Sequence, residues 1–180
     1  FIPQGKKRDL PTIIYCSGHS DLGFRSDVYQ HVILNLVKKG FAVFAFDPYG
    51  QGERLQYFDE KEGKSRFSPT REHSYPGAQL FINGASTAKY MIWDGIRAVD
   101  YLLTRKEVDP ERIGITGRSG GGTQSSHIAA FDDRIKAAAP ECYITTLEYQ
   151  LKSGGPQDAE QNFPKGIQLG LDHADLLEVR

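Results

Sequence analysis

The segment Arg112–Phe131, "RIGITGRSGGGTQSSHIAAF", carries the residues best suited to chemistry. An apolar strand pattern runs into Gly117-Arg118-Ser119-Gly120-Gly121 and then straight into a helical pattern. A serine with glycine two residues away on each side suits a sharp strand-to-helix turn, because a side chain at either glycine would collide with the adjoining strand or helix. Such a turn lifts the hydroxyl above the carboxyl edge of a parallel sheet, where open α/β folds bind ligands. It also places the hydroxyl at a helix N-terminus, which favours negative charge. The pattern points to Ser119 as a nucleophile in acyl transfer. The bland alternative is a phosphate-cradling turn, but the segment lacks both the Lys-Ser/Thr of a P-loop and the G-x-G-x-x-G of a dinucleotide site.

Acyl transfer at a serine needs two donors for the oxyanion, a base and an acid behind the base. The first donor is expected from the N–H of Gly120, the residue after the serine. "YCSGHSDLG" follows the first strand pattern, where the second donor loop belongs, and the N–H after Gly18 is that of His19. His19 is therefore expected to act through its main chain rather than as the base. Among the other histidines, His31 and His127 fall inside helical patterns and read as surface or core residues. His73, in "REHSYPG", could line the pocket, and His173 reads as a structural polar contact. For the acid, Glu141 at the end of "IKAAAPE" is the candidate, weighed against a glutamate that only caps a turn.

Arg118 could contact an anionic or sugar substrate, weighed against a salt bridge to a loop carboxylate. Asp47, Glu53 and Arg54 in "DPYGQGER" read as turn-fixing residues, and Trp93 and Asp94 as packing. Asp158 with Glu160, and Asp172 with Asp175, form acidic pairs. No His or Cys stands at ligand spacing beside them in the sequence, so neither metal nor cofactor is expected.

The elements that must position these residues alternate. "TIIYC" reads as a buried strand, "SDVYQHVILNLVKKG" as a helix stopped by Gly40, and "FAVFAFD" as a strand covered on both faces. A polar stretch at about 48–87 then interrupts the alternation; a loop that long reads as an insertion or a lid-like, site-forming excursion. The helix of "AKYMIWDGIRAVDYLL", the strand of "RIGITG", the helix after Ser119 and the strand of "IKAAAPECY" follow, and the tail from Ile144 is irregular. The order predicts an α/β fold, a parallel sheet with crossover helices. Cys16 and Cys142 lie in or beside strand patterns and read as buried free thiols.

The chain has 180 residues, 39% hydrophobic and 25% charged, with a net charge of −1, enough for one domain with a substantial core. That balance gives no electrostatic footprint for nucleic acid, and no apolar run approaches the roughly 18–20 residues of a membrane span.

Taken together, "SGHSD", "FAFDPYGQGER", "WDGIRAVDYL", "VDPERIGITGRSGGGTQ", "FDDRIKAAAPECYITTLE" and "GPQDAEQ" resemble α/β-hydrolase esterases of the acetyl xylan esterase and dienelactone hydrolase-like group. The serine motif alone would indicate only the superfamily; the ordered set, covering most of Ile13–Asp175, is more specific. The resemblance implies an α/β-hydrolase fold in which Ser119 hydrolyses a carboxylic ester through an acyl-enzyme, commonly deacetylating a carbohydrate such as acetylated xylan. It implies a small-molecule or polysaccharide ester as the partner, and a secreted or periplasmic location. It also implies an acid and a histidine on loops after later strands. The chain then reads as one partial domain over 1–180, truncated at both ends, with those two residues past Arg180. Alone it is expected to be nearly inactive, with an exposed parallel sheet edge. Three alternatives stay open: a prolyl-oligopeptidase-type peptidase, a glucuronoyl esterase, and a non-catalytic hydrolase-like module. Against the glucuronoyl esterase, Gly120 stands where that group usually has arginine.

Overall fold

The structure, a computed structural model, describes residues 1–6 and 8–179. The chain forms β1 (Leu10–Cys16), α1 (Asp27–Lys38) and β2 (Ala42–Phe46), then a short hairpin of β3 (Phe58–Asp59) and β4 (Lys64–Ser65). After α2 (Pro69–Ile82) and α3 (Thr87–Leu103) come β5 (Val108–Arg118), α4 (Gly120–Phe131) and β6 (Ala137–Glu141). The tail holds α5 (Leu147–Ser153), two single 3-10 turns and α6 (Asp175–Glu178).

Four strands make one parallel sheet in the order β2-β1-β5-β6. The register sets Cys16 between Phe46 on one side and Gly117 on the other. From β1 the chain crosses to β2 on one flank and later returns past β1 to β5 on the other. The loops leaving the carboxyl ends of β1 and β5 therefore part in opposite directions, which opens a crevice at that edge. Apolar side chains hold the layers together. Ile14, Ile113, Ile115, Ile128 and Val99 form the larger cluster, and Tyr15, Tyr29, Ile33 and Val43 form the smaller one. α4 is buried from Gly120 to Ala129, and its Ser125 and Ser126 hydroxyls donate to the Gly122 carbonyl at 3.1 and 2.8 Å, so their burial leaves no bond unmade.

The α/β expectation holds, with three differences in detail. The stretch at 48–87 contains α2, whose helical period is hidden by an internal Pro76 and by exposed Tyr75, Phe81 and Ile82. Glu72 on α2 is fully buried and accepts from the Gln56 N–H at 2.9 Å, the Tyr57 N–H at 3.2 Å and the Ser65 hydroxyl, which ties the hairpin down. Cys142 is exposed rather than buried, because β6 is an edge strand whose Ala137, Ala138 and Ala139 are also exposed. Trp93 is 55% exposed, with Arg97 stacked over its ring, so it does not pack inside. Asp47 fixes its turn as expected, accepting from the Phe24 and Glu53 N–H groups at 2.9 Å each, and Arg54 pairs with Asp94. Among the described residues no helix is long and apolar enough to cross a membrane.

Candidate active site

Ser119 stands between β5 and α4 with φ 59° and ψ −121°. A non-glycine residue in that region stores of order 1–3 kcal/mol of strain, which the surroundings must over-determine. The surroundings do so from both sides. The Ser119 N–H donates to the Glu141 carbonyl at 2.9 Å, and its own carbonyl accepts from the Thr123 N–H at 3.0 Å. A Cβ at Gly117 would lie 2.3 Å from the Cys16 carbonyl oxygen, and one at Gly121 2.0 Å from the same atom. The glycines thus let α4 start against the end of β1, and the serine is left exposed at the crevice.

The loop after β1 comes up beside it: a Cβ at Gly18 would meet the Ser119 Cβ at 3.2 Å. In this loop the Ser20 N–H donates to Gln51 Oε1 at 2.6 Å, and the Gly18 N–H bonds the Tyr29 hydroxyl. Among the described residues the His19 N–H between them has no acceptor, nor has the N–H of Gly120, the first residue of α4. Two unpaired amides therefore sit on facing loops beside an exposed, strained serine.

The other expected residues fall in different places. Glu141 faces solvent with its side chain, and only its main chain touches the turn. Arg118 is exposed beside Ser119 and makes no ion pair among the described residues, so the salt bridge weighed for it is not formed. His31 is exposed on α1. His173 stacks on Tyr143 and accepts from the Thr145 N–H at 3.3 Å, a structural polar contact. A cavity of about 300 Å³ lined by Phe81, Tyr143, Phe163, Leu171 and His173 lies in the tail and does not include Ser119.

His127 is buried in α4 with the Tyr143 hydroxyl at 3.4 Å. Burial, with His173 as a lesser cause, lowers its pKa to about 3, whereas the unfolded chain titrates near 6.5. The unfolded state alone takes up this proton between those values, so the contribution is complete above pH 6.5 and is lost as pH falls toward 3. By pH 5 the loss should be about 2 kcal/mol, read as a lower urea midpoint, and His127→Gln should flatten that part of the profile.

His73 does not line an open pocket. It is fully buried on α2 and meets His19. His19 Nε2 and His73 Nδ1 lie 2.8 and 2.9 Å from Asp158 Oδ2 and 3.3 Å from each other. Glu160 completes the group, 3.5 Å from His19 and 3.6 Å from His73. The acidic pair read as lacking histidine neighbours therefore has two. The sequence hid them because they come from the β1 loop and from α2, and only folding brings them to the segment at 157–161. Burial alone would raise the Asp158 pKa, but hydrogen bonds to His19 and His73 outweigh it and hold the carboxyl well below its usual range. Burial pushes Glu160 the other way, up to about 8.

The family model described as acetyl xylan esterase matches residues 1–149. The protein YtaP of Bacillus subtilis (strain 168) is 34% identical over 107 residues, which are 59% of this chain and 31% of YtaP. An acetyl xylan esterase from Paenibacillus sp. R4 superposes with a TM-score of 0.58 at 24% identity, over 87% of this chain and 47% of that one. A Bacteroides fragilis NCTC 9343 protein provisionally named an acetyl xylan esterase gives 0.77 at 18% identity, over 99% and 51%. The chain spans about a third of the curated relative and about half of these solved structures, whose likeness is one of fold.

Proposed function

Because the chain belongs to the acetyl xylan esterase family, we propose that it carries the nucleophile of a serine carbohydrate esterase that removes acetyl groups from a xylan-type polysaccharide. The observation that supports this most is Ser119, exposed and held at φ 59° beside two amides that have no acceptor among the described residues. Strain of that kind persists where a function needs it.

In this reading Ser119 Oγ attacks the acetyl carbonyl carbon as a histidine takes the hydroxyl proton. The N–H groups of Gly120 and His19 hold the oxyanion. Its collapse breaks the ester C–O bond, and the histidine gives its proton to the departing sugar oxygen, which leaves as a hydroxyl. Water then attacks the acyl-enzyme by the reverse sequence and releases acetate. Arg118, exposed next to the serine, is the group available to a sugar hydroxyl or an anionic substituent. Among the described residues no histidine nitrogen hydrogen-bonds the Ser119 hydroxyl: His19 and His73 meet Asp158, His127 meets Tyr143, His173 lies in the tail, and His31 is exposed on α1. The base and its acid are accordingly assigned to chain outside these residues. The excursion at 48–87 shapes the site through α2 and the hairpin.

Fluorophosphonate labelling of the full-length protein, with the adduct mapped by mass spectrometry, tests the reading. A single adduct on Ser119 is expected. A folded protein that stays unlabelled, or carries its adduct on another serine, overturns it.

A further inference from the structure

The four side chains His19, His73, Asp158 and Glu160 are not needed for the steps above, and their arrangement is unusual for a hydrogen-bonded cluster. His73 Nε2 lies 2.7 Å from the Tyr49 carbonyl oxygen. A carbonyl only accepts, so the ring proton of a neutral His73 sits on Nε2. Nδ1 then carries a lone pair, yet it faces Asp158 Oδ2 at 2.9 Å and His19 Nε2 at 3.3 Å. Electron pairs converge there unless a cation or a second proton lies among them. Both oxygens of Glu160 are buried and neither makes a full hydrogen bond among the described residues, the Gln161 side chain offering only a weaker contact. They are aimed at the same two imidazoles, at 3.5 and 3.6 Å. His19 and His73 are the only basic side chains among the described residues within 4.0 Å of either carboxylate.

From this geometry we propose that His19 Nε2, His73 Nδ1, Asp158 Oδ2 and Glu160 form a closed binding site for one divalent transition-metal ion of the zinc type. Metal–ligand bonds of about 2.0–2.2 Å in a tetrahedron set the ligand atoms about 3.4 Å apart. The separations between histidine nitrogens and their neighbours here run from 2.8 to 3.6 Å, and all four ligand atoms lie within 4.8 Å of one another. The ligand set of two imidazoles and two carboxylates suits zinc and leaves no position for water, as in structural sites. It is also neutral once a dication is bound, which removes the cost of burying two carboxylates together.

Two of the ligands have outer contacts that suit a metal site. The Tyr49 carbonyl orients His73 through its Nε2–H, and the Ser74 hydroxyl donates to Asp158 Oδ1 at 3.0 Å, leaving Oδ2 for the ion. The site lies against the nucleophile turn, since a Cβ at Gly120 would meet Glu160 Oε1 at 2.8 Å and His19 Cε1 at 2.9 Å. The ion would staple three segments distant in sequence: the β1 loop, α2 and the segment at 157–161. The binding claim stands apart from the esterase reading, since it concerns occupancy and not turnover.

The test uses the full-length protein, stripped with a chelator and then titrated with Zn²⁺ by calorimetry and with Co²⁺ by visible absorption. One equivalent of zinc is expected, with the intense visible bands of four-coordinate Co²⁺ and a thermal midpoint that rises on loading. Glu160→Gln, which keeps shape while removing one ligand, should weaken binding by about 100-fold or more. Ser119→Ala should bind zinc as the parent does. No stoichiometric binding by the folded parent, or equal binding by folded Glu160→Gln, overturns the proposal and leaves a proton-sharing cluster. Should Glu160→Gln fail to fold, the parent's stoichiometry and cobalt spectrum decide.

Discussion

Ser119→Ala in the full-length protein is expected to lower turnover of an acetylated xylo-oligosaccharide by about 10⁶-fold, the scale on which comparable hydrolases lose rate with their serine. The hydroxyl oxygen forms the acyl bond, so no neighbouring group can take its place, and what survives is the assistance of the oxyanion donors alone. The fold should be untouched. Ser119 is exposed, its main-chain bonds to Glu141 and Thr123 do not use the side chain, and alanine keeps the same φ. Release of acetate, followed with the thermal midpoint as a control, gives the answer. A variant that keeps turnover within about tenfold of the parent would show that the strained turn serves something other than nucleophilic attack.

Gly121→Ala should be the most damaging small substitution in the turn. Its Cβ would sit 2.0 Å from the Cys16 carbonyl oxygen and 2.7 Å from the Cys16 carbonyl carbon. Both are backbone atoms of β1, paired to β2 and β5 on its two sides, so neither can swing away as a side-chain tip could. The helix must back off the sheet, which costs about 3 kcal/mol or more. For a domain of this size that is a drop of about 6–12 °C in thermal midpoint. Gly63→Ala is the control for crowding, because no atom of the described residues lies within 4 Å of its Cβ position and only its φ of +64° opposes a side chain. A Gly121→Ala midpoint no lower than that of Gly63→Ala would mean that the close approach of α4 to β1 is not what the glycine serves.

The two readings differed in reach for reasons visible in particular residues. α1 and α3 were legible because each buries one stripe, such as Tyr29 and Ile33 or Met91, Ala98, Val99 and Leu102, and a stripe prints a 3.6-residue period into the sequence. α2 prints none, because its buried residues are Glu72, His73 and Gly77, which satisfy a hairpin and a polar cluster instead of an apolar core. Trp93 departs from its sequence signal for the opposite reason: an aromatic residue in a helix suggests packing, and here Arg97 covers it at the surface.

What the sequence by itself determined is whatever depends on neighbours in the chain: the alternating elements, the parallel sheet, and a turn at Ser119 in which glycine spacing alone predicts a collision with the adjoining strand. The tertiary structure alone decided which atoms share a space without sharing a segment. It showed that the strand met by Gly121 is β1, that the His19 amide beside the serine has no acceptor among the described residues, and that His19 and His73 close on Asp158 and Glu160. Residues 19, 73 and 158 meet because the chain reverses at β1 and the excursion folds back over that edge. No spacing rule records such a meeting, since the separations along the chain are set by everything between.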